Sequence, residues 1–112
     1  MSEITGLDRL PEGINEGARK KLLKLIRRLA EACRAEEARI AYVVRIIGGY
    51  EVTAIFVVNP QMDYELALKE FYRVKDYHRY EDVHIRISAR YPCAEAPKRQ
   101  LWLKAVMEVY TY

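Results

Sequence analysis

Two apolar runs that flank a pair of glycines restrict the fold of this chain more than any other feature. The dipeptide Gly48-Gly49 is of the kind that supplies positive φ in a tight β-turn. An alternating run begins before it at Arg39, and a second run returns after it from Tyr50 to Val58. This arrangement predicts a β-hairpin.

Both faces of the predicted hairpin are largely apolar, which is typical of strands that are covered on two sides or by another subunit. The first strand would place one set of side chains on one face: Ile40, Tyr42, Val44 and Ile46. Its other face would carry Ala41, Val43, Arg45 and Ile47. Asn59-Pro60 should end the second strand.

An amphipathic helix is predicted before the hairpin. Asn15 is a suitable N-cap, and Glu16 suits the positive end of the helix dipole. At a helical spacing, the apolar half holds Leu22, Leu23, Leu25, Ile26, Leu29, Ala30, Ala32 and Cys33. The other half holds the cations Lys20, Lys21, Lys24, Arg27, Arg28 and Arg34 with one acid, Glu31. Since Glu36 would fall on the apolar half, the helix should end near Ala35.

A second helix is predicted from about Asp63, because apolar residues recur there at helical spacing. A third strand follows, in which Val83, Ile85, Ile87 and Ala89 alternate with His84, Arg86, Ser88 and Arg90. The segment after Gln100 alternates in the same way, so a fourth strand is preferred to a terminal helix.

These elements predict an α+β domain in the order αββαββ, with two helices on one face of a mainly antiparallel four-stranded sheet. The domain spans residues 1–112, and residues 1–13 read as a flexible arm because Gly6, Pro11 and Gly13 punctuate them. We find no internal repeat and no low-complexity segment.

Composition places the chain among globular proteins, because 51% of residues are hydrophobic and 31% are charged. Charged residues are abundant while Asn and Gln are scarce, a usage typical of heat-adapted proteins. The first residues lack the pattern of a signal peptide and no apolar run is long enough for a bilayer, which predicts a cytoplasmic protein without a membrane partner. Cys33 and Cys93 would then be free thiols, or a disulfide if the source is hyperthermophilic.

The predicted C-terminal hairpin combines cations and rings on its polar face. The candidate binding residues are His84, Arg86, Arg90, Trp102, Lys104 and Tyr110. Trp, Tyr and Arg are enriched in protein interfaces, but rings and cations also bind single-stranded nucleic acid. Glu108 and Val106 on the same face favour an interface, while cover by the second helix is a third explanation.

A second candidate surface is the polar half of the first helix, with Lys20, Lys24, Arg27 and Arg28. A solvated charged face is the ordinary explanation, although lysines near a helix start oppose its dipole. Phosphate neutralisation would use such a surface. The net charge of +3 is too small to argue for DNA or RNA by itself.

Catalytic patterns are weak. His78 and His84 with the two cysteines lack a compact zinc-ligand spacing, and Arg73 with His78 matches an Arg-x4-His ribonuclease pattern only superficially. We therefore expect a non-enzymatic domain without a cofactor, acting as a small homo-oligomer or adaptor. Nucleic-acid binding is the alternative, and a small metal-dependent enzyme is a distant third hypothesis.

Overall fold

The computed structural model describes residues 4–58, 65, 69, 73, 77–79, 83–90 and 101–111. A short 3-10 helix, Leu7–Arg9, precedes helix α1, Glu16–Ala32. The strands are β1 (Ala35–Ile46), β2 (Gly49–Val58), β3 (Tyr77–Arg79), β4 (Val83–Arg90) and β5 (Leu101–Thr111). They form one antiparallel sheet in the order β1-β2-β5-β4-β3.

The predicted α+β class is confirmed, and the four predicted strands are β1, β2, β4 and β5. The predicted pair of helices in an αββαββ order is not matched, because the described residues contain one continuous α-helix. Of the second helix, only Glu65, Lys69 and Arg73 are described, as exposed helical residues, and the rest lies outside the described ranges. Strand β3 was not predicted, since three residues are too few to show an alternation.

Helix α1 forms as its sequence predicts. The Asn15 side chain accepts a hydrogen bond from the Ala18 backbone N–H at 2.7 Å, which confirms the N-cap. The apolar face buries Ala18, Leu22, Leu25, Ile26, Leu29 and Ala30 against the sheet. The helix ends earlier than predicted, at Ala32, because Arg34 adopts a left-handed conformation with φ 51° and β1 begins at Ala35.

A register shift in β1 overturns the predicted distribution of its side chains. Ile40 pairs with Ala54 and is buried in the core, whereas Tyr42 pairs with Thr53 on the opposite face. The extra residue between them, Ala41, forms a β-bulge that reverses the alternation. The first half of β1 therefore sends Ala38 and Ile40 towards α1, and the second half sends Tyr42 and Val44 away from it.

Strand β2, the second strand of the apolar hairpin, lies between β1 and β5 in the sheet, and every residue from Val52 to Val58 is buried. Both faces of β2 are buried over this stretch, whereas β1 lies at the edge of the sheet and exposes Tyr42 and Val44. Cover of β1 by another subunit stays a prediction. The hairpin loop also differs by one residue, because Ile46 pairs with Gly49 and the loop is Ile47-Gly48.

The strand predicted after Gln100 is confirmed as β5, which pairs with β2 on one side and β4 on the other. Its alternate residues Leu103, Ala105, Met107 and Val109 are buried, as are Val83, Ile85 and Ile87 of β4. These side chains form a single core with α1.

The segment predicted as an arm lies against this core. Ile4 and Leu10 are buried, and Thr5 forms a parallel bridge with Arg39 at the edge of β1. The Thr5 N–H donates to the Ala38 carbonyl at 3.1 Å, and the Ile40 N–H donates to the Thr5 carbonyl at 2.9 Å. Ile4 and Leu10 therefore contact the domain through their side chains, and Thr5 contacts it through its backbone.

Candidate binding surface

The structure separates the two groups of predicted site residues. Lys20, Lys24, Arg27 and Arg28 are exposed on the side of α1 that faces away from the sheet. The candidates of the C-terminal hairpin belong to the other side of the sheet. Because the sheet lies between them, the two groups cannot contact one ligand together unless that ligand wraps around the domain.

The cationic side of α1 has the features of an ordinary solvent-exposed charged surface. Glu16 and Lys20 form an ion pair at 4.0 Å between side chains that are 81% and 76% exposed. Exposed pairs of this kind contribute little to stability. The remaining exposed cations Lys24, Arg27 and Arg28 leave this side of the domain positively charged.

We call the sheet face opposite α1 the outer face. Residues that pair across antiparallel strands share a face, so the register of the sheet assigns them to it. His84 pairs with Tyr110, Arg86 with Glu108, and Trp102 with Val57, and none of these six belongs to the core that packs on α1. Arg90 pairs with Lys104, although the side chain of Arg90 lies outside the described part of the chain.

The register also arranges the outer face in rows that run across the strands. One row holds Val44, Glu51, Glu108 and Arg86, and we call it the acidic row. The next holds Tyr42, Thr53 and Val106, and we call it the uncharged row. The third holds Arg39, Ile55 and Lys104, and we call it the basic row. Glu51 and Glu108 therefore lie together in one row, which also holds Arg86, while Arg39 and Lys104 lie in another.

Ring contacts lie beyond the charged rows at both ends of the outer face. The Arg39 guanidinium lies 4.8 Å from the centroid of the Trp102 ring, a cation-π geometry. The His84 and Tyr110 rings lie 4.9 Å apart between centroids. The Tyr110 hydroxyl donates a hydrogen bond to the Glu108 carboxylate. The three rings that make these contacts, Trp102, His84 and Tyr110, are half-buried.

A cavity of about 430 Å³ adjoins the basic end of the outer face. Arg39, Tyr42 and Trp102 line it on the sheet, and Thr5 and Arg9 line it on the N-terminal segment.

Three large apolar side chains are exposed on the β1–β2 hairpin. Tyr42 is 53% exposed, Val44 is 55% exposed and Ile47 at the turn is 99% exposed. Tyr42 and Val44 lie on the outer face, at an edge strand whose only described pairing on the free side is with Thr5. Exposed apolar side chains at a sheet edge are a feature of surfaces that meet other proteins.

The sequence interpretation missed Tyr42 and Val44, because an apolar strand with two apolar faces looks buried. No signal in the sequence separates these two residues from Ile40, since the bulge at Ala41 depends on the pairing with β2.

The explanation in which the second helix covers the outer face concerns residues that are mostly outside the described ranges. The described residues of that helix, Glu65, Lys69 and Arg73, are exposed.

Features of a catalytic or metal site are weak in the described residues. They contain no group of three or more His, Cys, Asp or Glu side chains that could hold a metal ion. The His78 side chain and Cys93 lie outside the described residues.

Cys33 is a free, buried thiol whose Sγ donates to the Ala30 carbonyl at 3.6 Å. Burial raises its pKa from 9.0 to about 12, which keeps the thiol protonated and poorly nucleophilic.

Comparisons with known proteins do not identify a family. No protein-family model matches the chain, and neither a curated protein nor a solved structure is similar to it. Among the described residues, no helix combines the length and the apolar character that a membrane span requires.

Proposed function

We propose that this chain is a non-enzymatic binding domain that forms a small homo-oligomer, or acts as an adaptor, through its outer face. The observation that carries the proposal is the exposure of Tyr42 and Val44 on the same face as the half-buried rings of Trp102 and Tyr110. Aromatic anchors surrounded by partly exposed apolar side chains are typical of interface centres.

The charges of the outer face favour a protein partner over nucleic acid. Glu51 and Glu108 lie directly opposite each other on the two central strands. Two carboxylates side by side would repel a phosphate backbone, whereas a protein partner can supply cations to them. The candidates His84, Arg86, Trp102, Lys104 and Tyr110 then act as parts of a mixed-charge contact surface.

The proposal predicts self-association that depends on Trp102. The purified protein is expected to have twice the chain mass of 13.2 kDa at micromolar concentration, in low and in high salt. Trp102→Ala should raise the dissociation constant about tenfold, because it removes a large anchor from the face. Light scattering at several concentrations measures both quantities.

Lys24→Ala is the matched control, since Lys24 is exposed on the opposite side of the domain. It should leave the dissociation constant unchanged. A wild-type protein that stays monomeric at all accessible concentrations would contradict the homo-oligomer.

Nucleic-acid binding by α1 is the second candidate function, and one observation favours it. Lys24, Arg27 and Arg28 are all exposed on one side of the helix. Such a surface can neutralise phosphates of DNA or RNA without involving the outer face.

If α1 binds nucleic acid, affinity for a short single-stranded oligonucleotide should fall steeply as salt is added. Lys24→Glu combined with Arg28→Glu should lower that affinity at least tenfold at low salt, as measured by fluorescence anisotropy. Lys104→Glu on the other side of the sheet serves as the control. Equal loss in both variants would place the binding elsewhere, and no binding at low salt would remove this function.

A further inference from the structure

We infer that the partner of the outer face is a second copy of this chain, related by a two-fold axis that runs across the strands through the uncharged row. This inference rests on the proposed function and adds to it the identity and the orientation of the partner. It follows from the charge layout of the face and from its size.

The charge layout selects one orientation of the second copy. When two identical sheets meet face to face, a two-fold axis between them can run along the strands or across them. An axis along the strands would place the acidic row on the acidic row of the partner. An axis across the strands, through the uncharged row, would exchange the two charged rows. The second arrangement brings Glu108 of one copy opposite Lys104 of the other, which the first does not, and at the β4 end it places the position of Arg86 opposite that of Arg90.

The exchange of rows brings specific side chains of β5 in one copy opposite side chains of β5 in the other. Glu108 and Lys104 lie on either side of Val106, two residues away from it in each direction. With the axis at Val106, Glu108 of one copy faces Lys104 of the other, and the same pair recurs by symmetry. Arg86 at the β4 end of the acidic row offsets one of its two negative charges, so Glu51 and Glu108 leave that row with a net negative charge.

The same operation places uncharged side chains at the centre. Val106 would meet Val106, and Tyr42 would meet Tyr42, at the edge formed by β1. Burial of Tyr42 and Val44 would remove the exposed apolar surface that the monomer carries on this face. Apolar groups at the centre and charges on either side of them are the usual division of an interface into core and rim.

The size of the face is sufficient for a dimer. Four strands about 4.8 Å apart and about nine residues long at about 3.4 Å per residue give roughly 500 Å² for each copy. Two copies would face each other over about 1,000 Å² in projection, the lower limit for a specific protein interface. Thr53 and Ile55 on β2 are already buried in the single chain, so the newly buried surface would come from Tyr42 and Val44 on β1 and from the partly exposed residues of β5. A second copy of the chain can therefore cover the outer face without any additional partner.

The test exchanges charges between two variants. Glu108→Lys alone would turn each Glu108–Lys104 contact into a contact between two lysines, and Lys104→Glu alone would make it one between two glutamates. Each variant is expected to dimerise about ten- to thirtyfold more weakly than the wild type. An equimolar mixture restores opposite charges at both contacts, so it should form a heterodimer with an affinity close to that of the wild type. Sedimentation velocity with one variant fluorescently labelled measures this.

Controls separate this inference from net-charge effects. Lys24→Glu and Glu31→Lys change the net charge by the same amounts on exposed residues of α1, and they should leave dimerisation unchanged alone and in a mixture. A mixture of the two outer-face variants that associates no better than either alone would overturn the crossed orientation. If Trp102→Ala still weakens the wild-type dimer in that case, the outer face remains an interface and only the orientation fails. A monomeric wild type would instead overturn the inference and the homo-oligomer together.

Discussion

Lysine in place of both Tyr42 and Val44 is expected to weaken dimerisation more than a hundredfold. Both side chains are about half exposed in the monomer, at 53% and 55%, and both would be covered by a second copy. Each lysine would have to lose water or turn away from the interface, and burial of an unpaired charge is costly. In the crossed orientation, the lysines at position 42 would also face each other. Light scattering or sedimentation equilibrium of the Tyr42→Lys, Val44→Lys double variant measures the loss.

Ile47→Lys provides the matched control for this result. Ile47 is the most exposed apolar residue of the same hairpin, at 99%, but it lies in the turn and outside the rows of the outer face. Its replacement should change the dissociation constant by less than about threefold, as for a residue at the rim. All three positions are exposed, so the unfolding free energy should change by about 0.5 kcal/mol or less at each. An equal loss of dimer in Ile47→Lys would show that the tip of the hairpin, and not the face, makes the contact.

Alanine in place of Gly49 is expected to lower the unfolding free energy by about 3 kcal/mol, because the new side chain has no room. A Cβ atom at this position would overlap the carbonyl oxygen of Val109 on the neighbouring strand β5. That atom belongs to the backbone, so the two central strands would have to separate locally. Urea denaturation with an unchanged m-value measures the loss.

Gly48→Ala is the control for Gly49→Ala. It places the same methyl group at the adjacent residue, where the expected cost comes from the backbone conformation and not from a steric overlap. Gly48 has φ 85°, which disfavours alanine, but a Cβ there would meet only the Tyr110 side chain at 3.6 Å. The expected loss is about 1 kcal/mol. If Gly49→Ala lowers the unfolding free energy no more than Gly48→Ala does, then β2 and β5 do not approach each other this closely at Gly49.

Those parts of the fold that depend on local periodicity could be predicted from the sequence. The cap at Asn15 and the apolar side of α1 follow from residue preferences and helical spacing, and both are confirmed. The alternation of Leu103 and Met107 with Trp102 and Lys104 predicts a strand rather than a helix, and β5 shows that alternation in the sheet.

Features that depend on pairing between distant segments could not be predicted. The bulge at Ala41 is a property of β1 paired with β2, and it alone decides that Tyr42 faces outward while Ile40 is buried. Likewise, the attachment of Thr5 to β1 uses backbone groups that every sequence has, so the residue types near Thr5 do not reveal it. The position of β5 between β2 and β4 is a choice of topology, which the alternation within a strand does not encode.

The candidate site also has features that local periodicity predicts and features that only strand pairing reveals. The residues His84, Arg86, Trp102, Lys104 and Tyr110 were predicted to share a face, and the register of β4 and β5 places them so. What they bind stays a prediction. The segregation of Glu51 and Glu108 from Arg39 and Lys104 became visible only when four strands were aligned in register.

The central claim is that the outer face binds a second copy of this chain. Isotope-filtered NOE spectra of an equimolar mixture of labelled and unlabelled protein test it most directly, because they record only contacts between copies. We expect intermolecular NOEs from the Val106 methyl groups and the Tyr42 ring, and none from Ala18, which is buried in the monomer on the face of α1 that packs on the sheet. Intermolecular NOEs confined to α1, or their absence at concentrations where the mass is that of two chains, would contradict the claim.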